Sequence, residues 1–130
     1  METINDPKKY FLNHYDYEMK IYRPASGVVD DYVFESDDMP ALLWSIDSYD
    51  WKYTSQEEIF DRLSNIEMYD GDIIILHDIY EETADSLEKI IVDFLEKGYQ
   101  LISVSDMLKG LGLNVNDLSY YYNFNPPYFE

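Results

Sequence analysis

Four aliphatic residues in a row, Ile73 to Leu76, end directly on His77 and Asp78. A run this short with no polar residue on either face suits a strand buried on both sides, the kind found in parallel sheets covered by helices. Pro40 leads into a second compact apolar run, Ala41 to Ile46, again too short for a helix. Between the two, Ser55 and Glu58 have the spacing of a capping box, and Ile59, Phe60, Leu63 and Ile66 repeat at helical period. Asp70-Gly71 marks the turn before the Ile73 run, and Thr83 stands where it can cap a longer helix. On that helix Leu87, Ile90, Ile91, Phe94 and Leu95 line one face, with Lys97 in its last turn and Gly98 to stop it. Leu101 to Val104 predicts a last short strand, and Ser105 the cap of a helix ending near Gly110.

Upstream, Asp6 before Pro7 predicts a short helix through about Tyr15, with Tyr10, Phe11 and Tyr15 facing a core. Met19 to Arg23 is expected to be extended, because Pro24 pushes Arg23 out of the helical region, and Gly27 ends it in a turn. Val28 to Phe34 is expected to be helical, and the tail from Asn114 irregular. A helix followed by strand and helix four times over implies an α/β fold with parallel strands and right-handed crossovers. At 130 residues, such a chain buries roughly two thirds of its unfolded surface. Nine Lys and Arg against 27 Asp and Glu leave a charge of −18, which repels phosphate backbones and anionic lipid. Neither nucleic acid nor a membrane is therefore an expected partner. The absence of cysteine removes disulfides, thiolate zinc sites and thiol nucleophiles. No signal-peptide pattern opens the sequence and no apolar run is long enough to span a bilayer, so the sequence leaves the location unknown.

Chemistry in such folds gathers at the C-terminal ends of the strands, here Arg23, Asp47 to Trp51, and His77. These three clusters are expected to converge. His77 is the side chain best suited to titrate near neutrality, against the plain alternative of a strand-end histidine tied to a loop. Asp47 and Asp50 could orient it or hold a metal, or could simply cap a helix or loop by Asx turns. Arg23 could clamp a carboxylate or make a surface ion pair. Trp44 belongs to the core on this reading, and Trp51 offers a face for a sugar ring. His14, Asp16 and Glu18 would share a face in an extended chain and could then ligate a metal, a geometry at odds with the helix from Pro7. Phosphate-loop, H-E-x-x-H and G-x-S-x-G patterns do not occur.

In this order the clusters resemble the polysaccharide deacetylases, the NodB-homology domain of carbohydrate esterase family 4. The segment YRPASG, Tyr22 to Gly27, is similar to the family's third motif; LLWSIDSYDWK, Leu42 to Lys52, to its fourth, D-x-x-D-W; and IIILHD, Ile73 to Asp78, to its fifth, L-x-H-D. Thr83 to Leu108 is similar to the family's closing helix, strand and helix. The resemblance covers about Met19 to Leu108. It implies that His77 is the general acid that protonates the leaving amine and that Asp50 holds and charges it. A carboxylate beside an imidazole favours the protonated ring, which agrees with that role. By the same resemblance Trp51 and Ile75 wall the pocket for the acetyl methyl group, and Arg23 clamps the catalytic base. Ala25 and Ser26 depart from the usual Pro and Tyr.

The family's first two motifs, T-F-D-D-G and H-x-x-x-H, supply its base and its divalent metal, typically zinc, cobalt or nickel; neither occurs in this chain. The resemblance is therefore to the C-terminal half of a distorted (β/α) barrel, about four βα units, with residues 1–112 forming that half-domain and 113–130 an aromatic tail. No metal is expected to bind this chain by itself. The expected function is that of a polysaccharide deacetylase-like protein, a hydrolase of N-acetyl groups on amino-sugar polymers, inactive without its metal and base half. The alternative is a non-catalytic carbohydrate-binding or interaction domain. Partners are expected to be a polysaccharide or amino-sugar oligomer and either a second copy or a complementary chain that closes the barrel; family members often work outside the cytoplasm.

Overall fold

The computed structural model describes residues 5–28, 39–112 and 120–121, which fall in two compact units, one within Met1–Leu43 and Leu108–Tyr122, the other within Trp44–Met107. The expected helix over Val28 to Phe34 lies almost wholly outside the described residues, as does most of the tail.

In the first unit, α1 spans Asn5–Tyr15, ending where expected and starting two residues before the Pro7 that the sequence predicts as its first residue. Tyr10, Phe11 and Tyr15 do not reach a core; all three are exposed and pack on one another and on Tyr17. The extended segment before Pro24 is reduced to one parallel bridge, Tyr22 with Ala41, followed by a 3-10 turn at Ala25–Gly27. Strand β1, Ala41–Leu42, pairs in parallel with β4, Tyr120–Tyr121, so part of the tail is a strand rather than irregular chain. Tyr22, Met39 and Ala41 form a small buried cluster with Met19 against it.

The second unit holds the larger core. The run expected as a single strand divides, with β1 ending at Leu42 and β2 occupying Ile46–Asp47. Ser45 is the hinge: its hydroxyl donates to Asp72 and accepts from the Ile73 N–H, while the Ser45 and Ile46 N–H groups both donate to the Ile73 carbonyl. Strand β2 then pairs in parallel with β3, Ile74–Ile75. Helix α2, Gln56–Ser64, starts at the expected capping box: the Ser55 hydroxyl accepts from the Glu58 N–H, and the Glu58 carboxylate accepts from the Thr54 N–H. Helix α3 covers Glu81–Glu96, starting three residues earlier than a cap at Thr83 predicts, and Thr83 lies inside it. Helix α4 is Val104–Gly110, capped by Ser103, whose hydroxyl accepts from the Asp106 N–H, and not by Ser105. Leu101 to Ser103 forms no ladder, so the last predicted strand is missing; three residues without a paired neighbour have nowhere to place their N–H and C=O groups as a sheet.

Ile46, Ile59, Leu63, Ile90 and Phe94 are buried together, with Phe60, Ile66, Ile74, Leu76 and Tyr99 packed around them. The covered face of α3 is Thr83, Ser86, Ile90 and Phe94, whereas Leu87, Ile91 and Leu95 remain exposed on the adjoining ridge. The expected five-residue apolar face is thus only partly covered in this unit. Trp44 is half-buried, short of the full burial expected of a core residue. Lys97 closes the ends of α2 and α3 by donating to Ser64 and Asp93. No helix among the described residues is long and apolar enough to cross a membrane.

Leu63 is fully buried between α2 and α3. Leu63→Ala is expected to cost about 2–5 kcal/mol, and urea unfolding of the variant against the parent checks it.

Candidate active site

Asp50 follows β2 and His77 follows β3, and parallel pairing places both strand ends on one side. The loop between β2 and α2 is shaped by an Asx turn, in which the Tyr49 N–H donates to Asp47 Oδ1 at 2.8 Å. The Asp50 N–H then donates to the Ser48 hydroxyl at 3.3 Å, and Ser48 and Asp50 are both buried. Of the three roles open to Asp47, the turn is what the structure shows.

Three donors meet on the Asp50 carboxylate. His77 Nδ1 lies 2.7 Å from Oδ1, the His77 backbone N–H donates to Oδ2 at 2.6 Å, and the Thr83 hydroxyl donates to Oδ2 at 3.0 Å. An ionised carboxylate only accepts, so Nδ1 carries the proton of that pair and Nε2 is the nitrogen left for other chemistry. Burial pushes the Asp50 carboxyl up, and the His77 ring, the His77 N–H and the Thr83 hydroxyl outweigh it, holding the group below its ordinary 3.8. The Asp50 side chain is sealed while 27% of the His77 side chain remains exposed, so the carboxylate is inside and the imidazole at the rim. Tyr80 stands edge-on to the imidazole at 5.9 Å.

Of the other predicted residues, Ile75 is buried at the end of β3 and Trp51 is 52% exposed, one residue beyond Asp50. Arg23 belongs to the first unit, where it is exposed after Tyr22. The sequence reading missed Thr83 as part of the site. Its position at the head of α3 pointed to a cap, but Tyr80 is the N-cap, and the Thr83 side chain turns to Asp50 instead. Ser86 supports it by donating to the Thr83 carbonyl at 2.9 Å. The signal available was a small hydroxyl residue on the buried face of the helix, five residues past Asp78.

The reading of His14, Asp16 and Glu18 as metal ligands on an extended face does not hold. His14 lies in the last turn of α1 with Nδ1 against the Tyr10 carbonyl at 2.9 Å and its ring stacked on Tyr10, and Asp16 has φ 50. Among the described residues no three His, Asp or Glu side chains stand together as a divalent metal site would need.

A buried carboxylate oriented on a rim imidazole at the ends of two parallel strands defines an α/β protein equipped for proton transfer. Comparison with known proteins narrows that class. The chain is 34% identical over 107 residues to the peptidoglycan-N-acetylmuramic acid deacetylase PdaC of Bacillus subtilis, a match covering 82% of this chain and 23% of that protein. The solved structure of the same enzyme matches with TM-score 0.76 at 33% identity, covering 84% of this chain and 54% of that one. A family 4 acetyl xylan esterase from Clostridium thermocellum, solved with a cobalt ion, shares the fold at TM-score 0.79 and 22% identity, covering 95% of this chain and 62% of its own. No protein-family model matches. The chain belongs with the polysaccharide deacetylases of carbohydrate esterase family 4, the NodB-homology type, and spans about half the length of the solved domains it matches.

The lowered Asp50 pKa gives a signed expectation. A group depressed on folding stabilises the native state above its unfolded pKa, and that contribution fades as pH falls below about 3.8 through the folded value. Asp50→Asn is expected to lower stability at neutral pH by about 1–3 kcal/mol and to flatten the acid limb of the stability curve. Urea unfolding at stepped pH measures both. Thr83→Val, which removes one donor at constant shape, is expected to cost about 1 kcal/mol, with recovery in Thr83→Ser.

Proposed function

We propose that this chain supplies the acid side of a polysaccharide N-deacetylase site. The observation that carries the reading is the Asp50–His77 pair, with the carboxylate buried and triply donated and the imidazole at the rim. In that role His77 Nε2 gives its proton to the amine as the C–N bond of the tetrahedral intermediate breaks, and the amine leaves neutral. Asp50 balances the charge of the imidazolium before the transfer. Trp51 and Ile75 wall the acetyl pocket, and Arg23 clamps the carboxylate that serves as base. The base and the family's metal, zinc, cobalt or nickel, come from outside the described residues, and residues 1–112 act as the second part of a (β/α) barrel with 113–130 as its aromatic tail. The substrate is an N-acetylated amino-sugar polymer; PdaC is named for peptidoglycan N-acetylmuramic acid, which supports that class.

The same reading includes a second polypeptide surface. Each described sheet has only two strands, so β2 and β3 each keep an edge without a strand, and Leu87, Ile91 and Leu95 leave an apolar ridge on α3. Isolated two-stranded pieces are marginal in water, and open edges seek pairing. A second copy covers them on this proposal. The charge of −18 opposes association but is screened within about 10 Å at ~0.1 M salt, while pairing acts at contact.

Two measurements test these statements. Titration with N-acetylglucosamine oligomers, followed by NMR, is expected to move Trp51 and His77 resonances, and Trp51→Ala to weaken binding by about tenfold, the scale of one lost stacking contact of ~1.4 kcal/mol. Unmoved resonances would end the carbohydrate reading. Sedimentation at micromolar protein and physiological salt is expected to give a dimer; a monomer that associates only with a chain bearing T-F-D-D-G and H-x-x-x-H would replace the second copy by that partner.

A further inference from the structure

Tyr49 has φ 58, in the left-handed region that a ring-bearing L-residue rarely enters. It is the residue at which the chain leaving β2 turns, placing Asp50 inside and Trp51 outside. Local hydrogen bonds fit the turn: Tyr49 N–H donates to Asp47 Oδ1, and the Tyr49 carbonyl accepts from the N–H groups of Lys52 at 2.9 Å and Tyr53 at 3.0 Å. None of these holds the Tyr49 side chain. That contact comes from Arg62 on α2, whose guanidinium carbon lies over the Tyr49 ring, 4.9 Å from its centroid, nearer than the Lys52 ammonium at 5.7 Å. The same guanidinium donates from Nη2 to the Asp47 carbonyl at 3.3 Å. The Tyr49 ring in turn stands edge-on to Trp51 at 6.1 Å and to Tyr53 at 6.4 Å.

Arg62 makes no ion pair among the described residues, and its Nε is buried without a hydrogen-bond partner. A long cationic side chain that is partly buried without a carboxylate must be held by something else, and the ring face and the strand-end carbonyl are what it has. No hydrogen bond or ion pair among the described residues joins it to Asp50 or Trp51. We propose that Arg62 is a positioning residue: by stacking on Tyr49 and fixing the Asp47 carbonyl it holds the left-handed turn that sends Asp50 onto His77 and Trp51 to the surface. The inference rests on the reading of Asp50 as the support of His77 and of Trp51 as a substrate wall. A residue relaxed to ordinary φ at position 49 would reverse the path of the next two residues, so the latch acts on both groups at once.

The test uses the full chain and needs neither substrate nor turnover. The His77 Nδ1–H resonance, shifted downfield and slow to exchange when bonded to a buried carboxylate, reports the Asp50 side of the loop. Iodide quenching of Trp51 in a Trp44→Phe background reports the other side. Arg62→Met is expected to speed exchange of the His77 proton at least tenfold and to change Trp51 quenching at least twofold. Arg62→Lys keeps the positive charge in the last turn of α2 but not the planar stack, and is expected to show at least a threefold change in the His77 exchange rate. Tyr49→Phe, which keeps the ring, is expected to match the parent. A folded Arg62→Met with both readouts unchanged overturns the proposal, as does full recovery in Arg62→Lys, which would reduce the role to charge at a helix end. Should Arg62→Met fail to fold, Arg62→Lys with parental readouts overturns it alone. A parent chain that binds no N-acetylglucosamine oligomer but responds to Arg62→Met in this way would remove the carbohydrate reading and leave the latch.

Discussion

The buried carboxylate of Asp50 joins three segments distant in sequence. It lies on the loop after β2 and takes one hydrogen bond from the ring and one from the backbone of His77, 27 residues on, and another from Thr83, 33 residues on. A charge placed out of water is tolerable only when such donors surround it. The loop after β2, the end of β3 and the first turns of α3 are therefore fixed relative to one another by a single side chain, and the imidazole at the rim inherits its orientation from that arrangement. The aliphatic core of Ile46, Ile59, Leu63, Ile90 and Phe94 supplies the burial beneath it.

The Asp50 carboxylate is enclosed and the His77 imidazole beside it is partly exposed. Burial by itself pushes the Asp50 carboxyl up, and the hydrogen-bond donors around it outweigh that cost and keep it charged. Membership in carbohydrate esterase family 4 and the fold shared with PdaC give this arrangement its place among polysaccharide-modifying proteins.

Legibility in the sequence followed the range of the interactions. The start of helix α2 was readable from its local capping box, whereas the stripe expected to reach Ile66 runs past the helix end at Ser64. The Asp50–His77 juxtaposition was readable from two strand ends and a family resemblance. Thr83 was not, because a hydroxyl at a helix start points equally to a cap and to a distant carboxylate, and only packing decides. Ser105 lost to Ser103 for a similar reason: two serines lie close to one helix start, and geometry chose the earlier. The division of Ala41 to Ile46 into two strands depends on Ser45 bonding to Asp72 and Ile73, a contact across 27 and 28 residues that no local pattern encodes. Leu101 to Val104 carries strand-like residues but lacks a ladder, since strand formation belongs to a pair and not to one segment.

The Ser45 hinge also bears on the order in which this unit can assemble. Helix α2 needs only neighbours and can form within the fastest folding times, whereas Ser45 meets Asp72 only after the intervening chain has closed a loop. The carboxylate–imidazole pair spans the same interval and is completed by α3 later still in the chain. Helices can thus flicker in and out of an unfolded ensemble without ever presenting a charged aspartate next to a histidine. The carboxylate–imidazole pair arises only in the cooperative state, so it is absent from nascent or partly opened chains.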